Sequence, residues 1–587
     1  MPIAPTYPGV YIQELKSGVH TITGVATSIA AFIGRAASGP TDAPTVINSF
    51  ADYQRQFGGL SLLSSISFAV RDFFANGGSQ AVIVRLNRAG GQLANSAAAA
   101  GNAATTPAGV LAAIQANVNS LGAADKPAAT GVLTAATAAE ALAGSTADSV
   151  KKAAANAAAQ SGKPFAIVTA GTLILQATSP GSWANGLQVR VEKDPKDPVG
   201  RFKLLVRDSA TGNTETFSNL AVSGADRVVD KVLEQQSLLV RVSGSLPVAP
   251  PAANDPATPP RSIWDDNSPA TFYGVAKTDL ADDGSYLTAA DFTGAEHFNS
   301  KTGLYALHKT DLFNLLSIPP YLPDGSIDES IIDEVVGYCQ ARRALFLIDP
   351  PPAWPVLKDA GQGVVNNIGA SSSYAAVFFP RLNQPNALHD NQMEAFVPSG
   401  AVAGVMARTD AQRGVWKAPA GIDATLTGVP SLAVTLSDAE NGQLNPLGVN
   451  CLRTFPGVGR VVWGARTREG DDRKTSEWKY IPVRRTALFI EESLFRGTQW
   501  IVFEPNDEPL WAQIRLNIGA FLQGLFRQGA FQGKTPQEAY FVKCDGTTTT
   551  QNDIDRGIVN IIVGFAPLKP AEFVVIKLQQ MAGQLEV

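Results

Sequence analysis

Two hydrophobic rhythms alternate along the chain. Short unbroken apolar runs, "TSIAAFIG" (27–34), "QAVIVRL" (80–86), "ALFLID" (344–349) and "SYAAVFFP" (373–380), predict strands buried on both faces. Between them apolar positions recur at helical spacing. "SFADYQRQFGG" opens on a cap-like Ser49 and stops at Gly58 and Gly59. In "ISFAVRDFFANGG", Ile66, Val70 and Phe73 or Phe74 share a face, and Asn76, Gly77 and Gly78 end it. "IIDEVVGYCQAR" and "SGAVAGVMARTDAQRG" predict two further helices, the second with Ser399 as candidate cap. Strand followed by helix, repeated, predicts a mainly parallel sheet covered on both faces.

Elsewhere the pattern changes. Residues 89–163 are dominated by Ala and read as an insertion, with helical fragments at "PAGVLAAIQANVNSL" and "SVKKAAANAAAQSG". Residues 164–248 carry short strands at hairpin spacing: "TLILQA", "GLQVRVE", "RFKLLVRD", "ETFSNLAV" and "SLLVRVSG". The Pro-rich stretch 247–260 reads as an exposed, extended linker. Near the C-terminus a helix from Pro509 aligns Leu510, Ile514, Ile518, Phe521, Leu522 and Leu525, with Asn506 or Asp507 as cap. "AYFVKCD", "GIVNIIVGFAP" and "AEFVVIKLQ" follow as strands.

The fold class expected is a multidomain α/β and α+β chain. An α/β core covers 19–88 and 265–455. It is interrupted by the Ala-rich insertion (89–163), a β-rich inserted domain (164–248) and a linker (249–264). A compact α+β domain (456–570) follows, and extended arms occupy 1–18 and 571–587.

The N-terminal arm has its own local logic. Pro2, Pro5 and Pro8 recur at the repeat of an extended polyproline helix, and Val10, Tyr11 and Ile12 are β-formers. Lys16, Ser17 and Gly18 then break the run. A lone strand leaves backbone donors and acceptors unpaired. The local pattern leaves two outcomes open: pairing with the chain's own sheet, or pairing elsewhere.

Composition narrows the function. The 47 basic and 52 acidic residues give a net charge of −5, which offers no electrostatic footprint for nucleic acid. No basic amphipathic stretch, secretory signal or long apolar span is present, so the chain reads as made and kept in a cytoplasm. Charged residues make up only 17%, as suits a surface packed against copies of itself. Cys339, Cys451 and Cys544 have no metal-ligand spacing and read as reduced and mostly buried.

No catalytic constellation is legible. His20, His297, His308 and His389 form no metal-binding pair on a helix, and no G-x-S-x-G elbow occurs. "GAFQGKT" (529–535) has one residue too few between its glycines for a phosphate loop, and "GVGRVVWG" fails the dinucleotide spacing. "ADDGS" and "EGDD" read as solvated turns, with a weak surface cation as the sharper alternative. "WGARTREGDDRKTSEWKY" reads as an exposed hairpin or, functionally, as a complementary contact with a neighbouring subunit.

In order, "PGVYIQE", "TSIAAFIGRAASGP", "FADYQRQFGG", "FFANGGSQAVIVRL", "ADFTGAEHFNSKTGLYAL", "FNLLSIPP", "GVWKAPAG", "LNPLGVNCLRTFPGVGRVVWGART", "WKYIPVRR", "WIVFEPND" and "AEFVV" resemble the tail sheath proteins of contractile phage tails and related injection systems. The resemblance covers roughly the first 90 and last 290 residues. It places family-motif structural residues at Trp463, Gly464, Arg466, Thr467, Arg484, Arg485, Glu504, Pro505, Asn506 and Asp507. It implies strand exchange between subunits by both arms, at Pro8, Gly9, Val10, Tyr11 and Ile12 and at Glu572, Phe573, Val574, Val575 and Ile576.

What the resemblance implies is mechanical. Subunits stack as six-fold rings around an inner tail tube protein, between baseplate and tail terminator proteins. They contract to drive the tube through the target envelope, in a virion tail assembled in host cytoplasm. No enzyme activity, cofactor, metal, direct nucleic-acid contact or membrane insertion is implied. A headless bacterial injection system is the close alternative, and a hydrolase-like enzyme the remote one. The helix from Pro509 is a candidate tube-facing surface, with core packing as its alternative.

Overall fold

The computed structural model describes residues 20–577 except 63, 89–96, 98–99, 102, 122–125, 143–144, 161–162, 225, 255–261, 265–270, 285, 323–324, 355–357, 359, 362 and 364–370. The N-terminal strand-exchange positions Pro8 to Ile12 lie outside the described residues.

The core is built on an eight-stranded sheet. Its strands are β1 (Ala30–Gly34), β2 (Thr45–Ile47), β3 (Ala81–Arg85), β4 (Leu315–Ser317), β5 (Leu345–Ile348), β6 (Ala375–Phe379), β7 (Val449–Phe455) and β8 (Gly459–Val462), in the order β8-β7-β6-β5-β4-β1-β3-β2. The six inner strands are parallel, and β2 and β8 close the edges antiparallel. The unbroken apolar runs are explained by burial on both faces: β1, β3, β5 and β6 have no exposed position.

Helices α1 (Phe50–Phe57), α2 (Ile66–Ala75) and α4 (Ser399–Arg413) cover one face, and α3 (Ile332–Ala341) covers the other. Ser49 caps α1 as its sequence predicts, accepting the Asp52 N–H at 3.1 Å. Helices α2 and α4 cross at close range because α4 carries glycine one turn apart. A Cβ on Gly400 would lie 2.0 Å from the Ala69 carbonyl oxygen, and one on Gly404 would lie 2.4 Å from that of Phe73.

Ser399 is not the cap of α4. It is the first helical residue, and its N–H (2.9 Å) and hydroxyl (2.7 Å) both donate to Asp349 at the end of β5. The cap is therefore supplied from a neighbouring strand 50 residues earlier. Burial pushes the Asp349 carboxyl up to about 7 against those two donors.

The insertion forms two packed units. Pro107–Ser120, Lys126–Glu140 and Ala147–Gln160 are three helices around Val110, Ile114, Val132 and Val150. The middle helix is additional to the two fragments the composition indicates. The β-rich unit has two small sheets around Val189, Leu204, Leu175 and Val240.

Two boundaries differ from the sequence reading. Residues expected in an exposed linker pair with the β-rich unit: the Asn254 N–H donates to the Val191 carbonyl at 2.9 Å, and Asn254 Oδ1 accepts the Val191 N–H at 2.8 Å. Strand Tyr273–Gly274 and Ala281 also belong to that unit, not to the α/β core, because Tyr273 pairs with Val189 and Ala281 joins its apolar cluster. The unit is tied to the core by buried Arg85, whose guanidinium donates to carbonyls of Ala36 (2.9 Å), Gly39 (2.7 Å) and Pro180 (2.7 Å).

The C-terminal part packs α5 (Ile481–Gly497) and α6 (Glu508–Arg527) against a hairpin of β9 (Tyr540–Lys543) and β10 (Ile562–Phe565). Leu510, Ile514, Ile518, Leu522 and Leu525 of the α6 stripe are buried, so core packing accounts for it. Asn506 does not cap α6. It accepts from Trp511 Nε1 at 2.9 Å, and Asp507 occupies the cap position without a side-chain bond. Ile22, from the beginning of the described chain, joins this cluster. All three cysteines are free and buried.

Candidate functional site

The most elaborate polar cluster lies where the C-terminal segment leaves the body. Arg466 is 0% exposed, and all three of its guanidinium nitrogens are engaged. Nε and Nη2 form a fork to the two Glu572 oxygens at 2.7 and 2.8 Å. Nη1 donates to the Asn445 and Gly470 carbonyls at 2.9 Å each and to Asp472 at 3.0 Å. Glu572 also accepts from Asn445 Nδ2 at 2.8 Å and the Tyr480 hydroxyl at 3.0 Å.

The cluster is anchored in the sheet. Asn450 of β7 accepts the Arg466 N–H at 2.6 Å, and its amide donates to the carbonyls of Arg466 (2.7 Å) and Val377 (3.1 Å). Gly464 permits the approach, since a Cβ there would meet Asn450 Cα at 2.8 Å. Thr467, also 0% exposed, donates to the Trp478 carbonyl. The exposed-hairpin reading of this loop holds for Asp472 to Thr475 and Glu477, which are exposed, and is corrected for Arg466, Thr467, Arg468 and Asp471, which are buried.

Burial pushes the Glu572 pKa up, but the hydrogen bonds from Arg466 and Asn445 and the Arg466 charge outweigh it and hold the carboxyl below its ordinary value. A carboxylate lowered in this way strengthens the attachment above its unfolded pKa, near 4.3, and loses that contribution as pH falls through the folded value. A fluorophore at Lys577→Cys is therefore expected to keep its anisotropy at neutral pH and to lose it as acid carries the pH down through the lowered folded value of Glu572. In a Glu572→Gln background it is expected to move freely throughout.

Beyond this clamp, residues 573–576 stand in solvent. Phe573, Val574, Val575 and Ile576 are 72%, 80%, 79% and 78% exposed. The strand expected from residue 571 does not form within the chain: residues 571–577 have no ladder partner among the described residues. Its β-forming pattern is real, but no described strand of its own subunit pairs with it. Nearby, β9 and β10 make a two-stranded sheet, extended among the described residues only by the bridge between Phe531 and Pro567. Phe541 and Ile562 of this hairpin are exposed. Sequence reasoning singled out the segment but not the hairpin.

The remaining motif residues divide between core and surface. Trp463 packs on Phe455 with ring centroids 4.4 Å apart. The Arg484 guanidinium lies between Tyr374 and Trp478, 4.2 and 4.5 Å from their ring centres. Arg485 forks onto Asp410 at 2.9 and 2.6 Å and donates to the Thr27 carbonyl at 2.8 Å, joining α5, α4 and the lead into β1. Glu504, Pro505 and Asp507 are exposed, and Asn506 Nδ2 donates to the Ile558 carbonyl at 3.0 Å. The motif residues thus do not converge on one site.

The acidic turns are occupied internally. Asp283 accepts from the Ser182 N–H and hydroxyl at 2.8 Å each, and Asp472 accepts from Arg466 and Lys479. Among the described residues no three His, Cys, Asp or Glu side chains converge as a metal site, and no helix is long and apolar enough to cross a membrane. The buried Ser399–Asp349 pair also contacts Ser317 at 2.9 Å. It caps a helix, and no histidine hydrogen bond reaches it among the described residues.

Comparison with known proteins agrees with this architecture. Residues 294–468 match the phage tail sheath protein central domain, and residues 473–580 match the phage tail sheath C-terminal domain. The tail sheath protein of Vibrio phage KVP40 is 30% identical over 214 residues, which is 36% of this chain and 30% of that protein. The tail sheath protein of Enterobacteria phage T4 is 29% identical over 199 residues, 34% of this chain and 28% of that protein. The chain thus spans less than a third of the length of these two relatives. The sheath tail protein of Listeria innocua shares the fold with a TM-score of 0.54 at 12% identity, covering 93% of this chain and 96% of that one. Residues 294–468 and 473–580 thus match the central and the C-terminal domain of the phage tail sheath proteins, the family the sequence resembles.

Proposed function

We propose that the protein is a structural subunit of a contractile sheath. It polymerises as stacked six-fold rings around an inner tube, between baseplate and terminator proteins, in a virion tail assembled in host cytoplasm. Residues 572–576 of one copy add as a strand to the β9–β10 hairpin of another, and residues 8–12 add at the other end. No catalytic step is assigned.

The observation that carries this reading is the clamped, solvent-exposed apolar run at 573–576. Burying each of its side chains is worth about 1.5–3 kcal/mol. Ordering each residue costs about 1–2 kcal/mol. Strand addition to a sheet edge supplies both side-chain burial and backbone pairing against that cost. Clamping Glu572 lowers the ordering cost by fixing where the strand begins. Contraction then requires a bistable arrangement of rigid bodies joined by such strands.

Negative-stain electron microscopy of the full chain expressed alone tests the reading. Long striated hollow cylinders are expected. Monodisperse particles at high concentration, both alone and with the tube protein, would contradict it.

A further inference from the structure

Val502 and Phe503 lie in the turn between α5 and α6. Both are exposed, Phe503 fully. The Phe503 backbone also has φ +72°, in the left-handed region that bulky residues seldom adopt. An unfavourable backbone and an unfavourable exposure coincide at one residue. Observed strain of this kind points to a demand from outside the fold.

The turn itself is held firmly. The Glu504 N–H donates to the Ile501 carbonyl at 3.1 Å. Asn506 bridges Trp511 of α6 to the Ile558 carbonyl, on the approach to β10. The ring is therefore presented from a fixed turn connected to the base of the hairpin. Exposed carboxylates of Glu504 and Asp507 flank it.

We propose that Phe503 is a contact residue between copies. Its ring seats against residues 573–576 of a second copy, with Glu504 and Asp507 facing the lysines that bracket that run. This rests on the self-association reading above and adds the side-chain contact that orients the added strand. The argument for a second copy is complementarity within the chain. Residues 573–576 are the longest run of exposed large apolar residues among those described. They are bracketed by exposed Lys569 and Lys577, as the aromatic knob is bracketed by carboxylates. The Asn506–Ile558 link places the knob beside the hairpin assigned to receive that run.

The test uses full-length Phe503→Asn. Asn accepts a left-handed backbone readily. The variant is therefore expected to melt at the wild-type temperature or above, while polymer yield falls roughly tenfold, as for loss of an aromatic hot spot. A purely structural residue cannot give that opposite pair of effects. Polymer equal to wild type, or loss of polymer with a lowered melting temperature, overturns the contact. In a second arm, a benzophenone amino acid at 503 is expected to cross-link two copies through the peptide containing 569–577. Cross-linking only to another protein, or to a different peptide, overturns it as well. A wild-type chain that forms no polymer under any of these conditions defeats the self-association reading, and the contact with it.

Discussion

Arg466→Ala is expected to destabilise the C-terminal part by about 3–5 kcal/mol, the range for breaking a buried ion pair. The loss has three sources. The Asn445 and Gly470 carbonyls lose this donor, and Asp472 keeps only that from Lys479. A cavity remains where a fully buried guanidinium stood. Glu572 loses the fork that fixes it, swings into water, and releases residues 573–577. Arg466→Lys should recover only part of the loss, because an ammonium cannot make two parallel bonds to a carboxylate. Glu572→Gln should cost less, about 1–3 kcal/mol, since the guanidinium keeps Asp472 and two carbonyls. Denaturant unfolding and the anisotropy of a label at position 577 measure the two consequences separately. Wild-type stability and anisotropy in Arg466→Ala would show that the clamp holds nothing.

Val574→Pro and Val575→Pro are expected to separate assembly from folding. Alternate residues of an added strand direct their N–H groups to the same neighbour. One of the two positions must therefore supply a ladder donor, and proline there removes it. That variant should lose polymer by tenfold or more, about 1.4 kcal/mol per contact. The other should be milder. Neither should change monomer stability by more than about 0.5 kcal/mol, because both side chains stand in solvent. Wild-type polymerisation by both variants would remove this segment from the assembly mechanism.

Much of the fold is legible in the sequence where structure is dictated locally. The unbroken apolar runs at 30–34, 81–85, 345–348 and 375–379 are central strands, and Ser49 announces α1 three residues before the bond it accepts. Legibility fails where a distant partner decides. A charged loop around Arg466 reads as exposed because its carboxylate lies 106 residues away. Ser399 reads as a cap because the true acceptor, Asp349, is on another element. Asn254 reads as linker because its pairing with Val191 leaves no periodic signature.

The candidate assembly site divides in the same way. Residues 572–576 declare themselves by β-forming composition, whereas the hairpin that could receive them is an ordinary pair of short strands. Phe503 lies in the motif "WIVFEPND", but nothing in that motif marks it as exposed or strained. Its significance depends on a backbone angle and an exposure visible only in three dimensions.

Strand addition between copies is tested most directly by a cryo-electron microscopy map of the assembled polymer at side-chain resolution. The account predicts that the β9–β10 hairpin of each subunit is extended by residues 572–576 of another, with Glu572 of the donor still forked to its own Arg466. A hairpin that remains two-stranded, with residues 572–576 folded back on their own subunit, would contradict it.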